Sequence, residues 1–269
     1  MDHHRTALIT GAAGALGTAF AQTLAAAGWR LALTDIDRSA CRALADQLQA
    51  TGADVRAEVL DVRALDQWES LRDSLRSDWQ QLDLLVNNAG VCSAGTTGSF
   101  PAADWQWVID VNLIGTMNGC HTLVPWLREN TRAAHIVNIA SYASFISLPL
   151  VGAYVASKAG VLAYSESLYL ELARQNVSVT AVCPGFFPSQ LFHRGRFHTR
   201  GFQQISDTMV REWQLSPEKI VASALRGMER QQLYVMVPSR TRWMWRLKRW
   251  FPLATLAYVR RRSQMLLNS

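Results

Sequence analysis

The chain has 269 residues, 49% of them apolar and 18% charged; that suits one large domain or two small ones of roughly 150 residues each, with a sizeable core, and excludes a disordered chain. Its net charge of +6 is uneven: residues 231–269 hold Arg240, Arg242, Arg246, Lys248, Arg249, Arg260, Arg261 and Arg262 and no acid, leaving 19 basic and 21 acidic side chains in the first 230 residues. The basic character belongs to the tail, so it does not argue for a nucleic-acid binder.

Taken in chain order, short runs of β-branched residues or leucine alternate with longer helical stretches. Strands are expected at 6–10, 30–34, 54–60, 82–86, 134–140, 177–182 and 232–237. Helices are expected near 15–28, 38–51, 64–79, 101–130, 152–175 and 216–230. Several strands, such as Leu82-Asp83-Leu84-Leu85-Val86, are almost continuously apolar, as strands buried on both faces are. This alternation predicts an α/β fold with a doubly wound, central parallel sheet of about seven strands. Residues 1–239 would form that Rossmann-type domain and residues 240–269 a helical extension. Residues 186–215 lack clean periodicity and read as a binding loop or lid over the substrate.

The four cysteines, Cys41, Cys92, Cys120 and Cys183, are scattered, without C-x-x-C pairing. They read as free thiols in a reducing compartment, and no metal is expected. Arg5 leads directly into the first strand, so no signal peptide is expected, and the tail's longest uncharged apolar run, Phe251 to Val259, falls short of the ~18–20 residues of a spanning helix. The expectation is a soluble, cytoplasmic protein.

Between the first strand and first helix lies Thr10-Gly11-Ala12-Ala13-Gly14-Ala15-Leu16-Gly17. Glycines there let the backbone turn tightly and approach a pyrophosphate at the helix N-terminus. Asp35 ends Leu31-Ala32-Leu33-Thr34-Asp35, where a carboxylate accepts both adenosine ribose hydroxyls and repels a 2′-phosphate. With no Arg or Lys in the glycine loop, NAD is favoured over NADP. The bland alternative for Asp35 is a cap on the following helix, a role Asp37 or Ser39 could fill. Tyr154 and Lys158 stand four apart in Tyr154-Val155-Ala156-Ser157-Lys158 and so share a helix face. An ammonium near a phenol favours the phenolate and lowers its pKa. Ser141, at the end of the fifth strand, can hydrogen-bond a carbonyl or alcohol oxygen.

At these residues the chain resembles the short-chain dehydrogenase/reductase family, over about residues 5–237. Gly11, Gly14 and Gly17 lie in a loop similar to the family's Thr-Gly-x-x-x-Gly-x-Gly. Asp61-Val62 resembles its adenine-contacting pair, and Asn87-Asn88-Ala89-Gly90 its Asn-Asn-Ala-Gly segment. Asn112 matches its catalytic-site asparagine, Ser141 precedes Tyr154 by thirteen residues as the family's serine does, and Pro184-Gly185 follows the sixth strand. Ala15 replaces the middle glycine, and Phe187, Pro188 and Ser189 stand where an aliphatic residue, an acid and Thr are usual. The resemblance implies a catalytic set of Asn112, Ser141, Tyr154 and Lys158. It implies a cofactor set of Gly11, Gly14, Ala15, Leu16, Gly17, Asp35, Asp61, Val62, Asn88, Ala89, Gly90, Tyr154, Lys158, Pro184, Gly185, Phe187 and Ser189. Tyr154 would exchange the proton, Lys158 lower its pKa and hold the nicotinamide ribose, Ser141 orient the substrate oxygen, and Asn112 support a water linking Lys158 to solvent. The implied assembly is a homodimer or homotetramer built on the helices around 101–130 and 152–175.

The expected substrate is a bulky or long apolar alcohol or ketone. Phe186, Phe187, Leu191, Phe192, Phe197, Phe202, Ile205, Met209, Val210 and Trp213 would cover it, with Tyr142, Phe145, Leu148 and Val151 as the opposing wall. His193, Arg194, Arg196, His198, Arg200 and Arg211 leave room for an anionic end. In the tail, Trp243, Leu247 and Trp250 recur beside Arg242, Arg246 and Arg249 until Pro252 interrupts the helix. Such a helix suits either an anionic membrane surface or packing on the body or a partner subunit. The competing functions are an NADP-linked reductase of lipid or acyl metabolism, against which Asp35 argues, and a nucleotide-sensing regulator, against which the full catalytic set argues.

Overall fold

The computed structural model describes residues 4–192, 195–199 and 202–268. In chain order the elements are β1 (Thr6–Thr10), α1 (Ala15–Ala26), β2 (Arg30–Asp35), α2 (Arg38–Gln49), β3 (Val55–Val59), α3 (Leu65–Asp78), β4 (Leu84–Asn87), β5 (Ser93–Ala94), α4 (Ala102–Ile109) and α5 (Gly115–Arg128). There follow β6 (Ala134–Ile139), α6 (Gly152–Glu171), β7 (Val177–Pro184), β8 (Arg196–Phe197), α7 (Phe202–Trp213), α8 (Pro217–Glu229), β9 (Tyr234–Val237), α9 (Arg240–Trp250) and α10 (Pro252–Asn268).

Seven strands form a parallel sheet in the order β3-β2-β1-β4-β6-β7-β9. The chain winds outward from β1 in one direction, then returns to β4 and winds outward in the other, so the crevice between β1 and β4 lies at the switch point where such sheets bind ligands. Side chains alternate across the strands: Ala7, Ile9, Leu84 and Val86 face one core with Phe20, Leu44 and Ile220, while Leu8, Leu85 and Ile136 face the other with Trp68, Leu75 and Trp126. Burial on both faces is why these strands carry apolar residues at successive positions. The edge strand β3 differs: Val59 is exposed and Arg56 pairs with Glu58 and Asp78.

Three departures from the sequence expectations matter for the site. Residues 101–130 are not one regular helix: a π-helical turn, Asp110–Ile114, separates α4 from α5 and presents Asn112 inward. Residues 186–215 do contain regular structure, the amphipathic α7, and β8 pairs with β5 in a small second sheet. Ser141 stands two residues beyond β6, as the cap of a 3₁₀ turn over Tyr142–Ser144. The helix break at Pro252 is where the sequence puts it.

Candidate active site

Two connected depressions open along the C-terminal ends of the strands. One is a polar groove over the switch point. Gly11 turns with φ +60°, and a Cβ on it would lie 2.8 Å from the Ala89 backbone. At Gly17 a Cβ would lie 2.3 Å from the Gly11 carbonyl oxygen, so this glycine is required by packing, and it does not line the groove. Helix α1 begins at Ala15 after Gly14 in extended backbone, with no side-chain cap and no acid in its first turn. Its N-terminus therefore offers unpaired N–H groups and partial positive charge to an anion. Ala15, where the family has glycine, starts the helix regularly.

The loop is pinned from β4. The Thr10 hydroxyl accepts from the N–H groups of Asn88 and Ala89 at 2.9 and 3.0 Å. The Asn88 side chain donates to the carbonyls of Thr10 and Gly11 at 2.8 and 2.9 Å. Asn88 thus acts by holding the glycine turn. At the far end Asp35 accepts from the Ala13 N–H and the Asp37 N–H, both at 3.0 Å. It does not cap α2; Asp37 does, accepting from Ala40. Asp61 and Val62 line the same end, with Arg63. The Arg63 guanidinium grips both Asp61 oxygens and holds that carboxyl below the usual range. Arg63 is a groove residue that sequence reading missed, although its position two residues after an acid was the available signal.

The second depression is apolar and begins where the groove ends. Cys92, Tyr154, Pro184, Phe187, Ser189 and Leu191 line both. Ser141, Tyr142, Leu148, Val151, Phe186, Phe202, Ile205 and Met209 line the apolar side, as does Ser263. Phe145 turns into the core against Tyr142, and Gly185 lies under the Trp213 ring on the apolar side, not in the groove. Among the described residues no charged side chain lines this pocket. Arg196 and His198 instead bind Asp104 at 2.7 and 2.6 Å, and Arg211 donates to Thr208. His193, Arg194 and Arg200 lie outside the described residues.

Tyr154 and Lys158 share the inner face of α6 at its start. The Lys158 ammonium donates to the Ile139 carbonyl at 2.8 Å and lies 6.0 Å from the Tyr154 ring centre. The Ser141 hydroxyl accepts from the Ala143 N–H, while Ser144 accepts from the Ser141 N–H and donates to the Lys158 carbonyl, tying the turn to α6. Asn112 is buried, and its amide is held by the Val91 N–H, the Val91 carbonyl and Ser157. Its side chain therefore acts as a clamp between the segment after β4 and α6. Titration differs from the sequence expectation. Burial pushes the Tyr154 phenol up, and the Ser141 hydrogen bond only partly offsets this. Burial also lowers Lys158 to about 8. The protein alone therefore keeps the phenol protonated, because burial disfavours the charged form of each group.

A dinucleotide fits these residues by three independent features. The glycine turn brings bare backbone to the groove floor, the α1 N-terminus is uncapped, and the buried Ser189 hydroxyl, which lines both groove and pocket, has no hydrogen-bond partner among the described residues. An unpaired buried hydroxyl is costly unless a ligand group meets it. Among the described residues no cluster of metal-ligating side chains is present.

The glycine crevice, the pinned Asn-Asn-Ala-Gly segment and the Ser-Tyr-Lys cluster together define a Rossmann-type oxidoreductase. The profile of the short chain dehydrogenase family matches residues 5–197, and the chain belongs to that family. Over 193 residues it is 32% identical to a probable oxidoreductase, EphD, of Mycobacterium tuberculosis; the match covers 72% of this chain but only 33% of that longer protein. A C alpha-dehydrogenase of Sphingobium is 27% identical over 86% of this chain and 80% of its own length. Among solved structures, a short chain dehydrogenase/reductase from Burkholderia phymatum in complex with NAD superposes with a TM-score of 0.86 at 31% identity, covering 93% of this chain and 95% of that one.

Proposed function

We propose that this chain is an NAD-dependent oxidoreductase that interconverts an uncharged, apolar alcohol and its ketone or aldehyde. The observation that carries this reading is the position of Tyr154, whose phenol lines both the polar groove and the apolar pocket, beside Ser141. A substrate carbon held in the pocket would face the end of the groove, with its oxygen between the two hydroxyls. Ser141 accepts from Ala143 and hydrogen-bonds the Tyr154 phenol, and a substrate oxygen set between the two hydroxyls would take over that proton. Tyr154, protonated in this environment, delivers a proton in reduction; in oxidation its phenolate takes the proton from the alcohol. The Lys158 charge, fixed against Ile139, stabilises the phenolate left behind. When bound, the nicotinamide supplies or accepts the hydride.

The preference for NAD rests on Asp35, whose carboxylate is held at the adenosine end by two backbone amides. A 2′-phosphate would meet that negative charge, and the neighbouring cation, Arg63, is already paired with Asp61. The Burkholderia neighbour, bound to NAD, supports the same choice. An uncharged substrate is supported by a pocket that, among the described residues, is lined without charge. A homodimer or homotetramer over α4, α5 and α6 is supported by exposed Trp105, Ile114, Met117, Tyr169 and Leu170 there. Initial rates with NAD and NADP over a panel of secondary alcohols and ketones test the reading. NAD should be preferred, with kcat/KM rising with apolar chain length; equal rates with both cofactors, or a preference for acidic substrates, would overturn it.

A further inference from the structure

Helices α9 and α10 have two unlike sides. The inner side is packed: Met244, Trp245 and Val259 join the core beneath β7 and β9, and the Tyr142 phenol donates to the Met244 sulfur at 3.4 Å. The outer side carries Trp243, Leu247, Trp250, Phe251 and Leu253, all exposed, with Trp250 67% and Leu253 79% accessible. Trp243, Leu247 and Trp250 recur at i, i+4 and i+7 and so form one stripe. Beside it run Arg242, Arg246 and Arg249, also exposed, and Arg260 and Arg261 continue the basic character on α10. Among the described residues none of these five arginines has an ion pair, and no acid occurs between 231 and 269. Because the inner side anchors both helices, the outer apolar face is held in solvent. A contiguous exposed patch of this kind marks an interaction surface.

We propose that the outer face of α9 and α10 docks on an anionic phospholipid bilayer and that docking turns the mouth of the apolar pocket towards the lipid. Tryptophan with leucine on one side of a helix and arginine along its border match a headgroup layer, where the rings sit among the glycerols and the guanidiniums meet phosphates. A duplex nucleic acid would match the arginines but not the apolar stripe between them. The link to the pocket is structural. Ser263, on the inner side of α10 one turn beyond Val259, lines the pocket. Arg262 pairs with Glu212, and the Arg240 guanidinium lies 4.1 Å from the Trp213 ring centre, so both helices are tied to the lid helix α7. An apolar alcohol dissolved in the bilayer would reach the site without crossing water. This delivery step rests on the proposed apolar substrate; the docking step does not.

The test uses the full chain, sedimented with vesicles of phosphatidylcholine alone or with added phosphatidylglycerol. NAD-linked rates on a long-chain and a short, water-soluble secondary alcohol are read in parallel. The protein should sediment only with the phosphatidylglycerol vesicles, and salt should release it. A Trp243→Ser, Trp250→Ser, Leu253→Ser variant should lose binding at least about tenfold. An Arg242→Gln, Arg246→Gln, Arg249→Gln variant should lose about a hundredfold, near fivefold per arginine. Both should keep the short-alcohol rate and the wild-type melting temperature, and vesicles should raise kcat/KM for the long alcohol only in the wild type. Docking is overturned by no sedimentation at low salt, by variants that bind as well as wild type, by displacement from vesicles by duplex DNA, or by a tryptophan variant that becomes a smaller assembly on gel filtration while vesicles bind neither form. Sedimentation without a gain on the long alcohol overturns delivery alone. If neither alcohol turns over, the enzymatic reading fails while sedimentation still reports on docking.

Discussion

The nucleotide end and the substrate end of this site are built differently. The groove is made of backbone and short polar side chains from β1, β2 and β4: Gly11 and Gly14, the Thr10 hydroxyl, the Asn88 amide, the Asp35 carboxylate. The pocket is made of large side chains from distant segments, Tyr142, Phe186, Phe202 and Met209, with Ser263 from the last helix. Backbone cannot be repacked, so the first end tolerates almost no added volume. Side chains change rotamer and identity, so the second end can be reshaped without disturbing the first. Tyr154, to which the proposed function gives the proton transfer, stands at the join of the two.

The sharpest way to break this division is at the join. Tyr154→Phe should lower turnover by about a hundredfold to ten-thousandfold while leaving nucleotide binding, measured by fluorescence titration, intact. Full turnover would remove Tyr154 from the chemistry. Next come steric probes of each end. Gly17→Val places side-chain atoms where a Cβ alone already lies 2.3 Å from the Gly11 oxygen, so NAD binding should vanish and the melting temperature fall. Ser263→Tyr should instead raise KM for a long-chain alcohol by roughly tenfold with an unchanged KM for NAD. If both variants affected both ligands equally, the two ends would not be separable.

A smaller effect is expected at the adenosine end. Asp35→Ser should lower the NAD to NADP ratio of kcat/KM by at least about tenfold, since a carboxylate near a phosphate is worth one or more kcal/mol even with solvent screening. An unchanged ratio would place the discrimination elsewhere.

The smallest effect concerns stability away from both ends. His135 is buried between β6 and β7, where burial lowers it from 6.5 to about 4. Thr180 donates to the Gln232 carbonyl and therefore accepts from His135 Nε2 at 2.8 Å, which places a proton on Nε2, and burial keeps the ring neutral. Below pH 6.5 the unfolded chain takes up a proton that the native state refuses until about pH 4, so stability falls across that window by about 3 kcal/mol and then levels off. Chemical denaturation across this range should show the slope, and His135→Gln should flatten it.

Much of the groove was legible in the sequence because its determinants are local. A glycine turn, a strand-end carboxylate and a tyrosine and lysine one helical turn apart each act through spacing within a few residues. The same holds for the strand pattern, since burial on both faces puts apolar residues at successive positions, Ala7-Leu8-Ile9 in β1, Leu84-Leu85-Val86 in β4 and Ile136-Val137 in β6. What local spacing could not supply was Asn112 as a clamp, which depends on the π-helical turn and on Val91 and Ser157 from other elements. Nor could it supply the upward push on Tyr154, because desolvation is a property of everything packed around the phenol.

By itself, then, the sequence determined the sheet, the glycine crevice and the Tyr154 and Lys158 pair, along with a basic aromatic tail of two helices broken at Pro252. Only the tertiary structure decided that the tail is part of the site. Met244 meets Tyr142 across 102 positions of chain, Arg240 covers Trp213, Arg262 reaches Glu212, and Ser263 closes the pocket. Contacts between residues so far apart leave no periodic trace, because they are set by where the sheet and its covering helices bring the last two helices to rest.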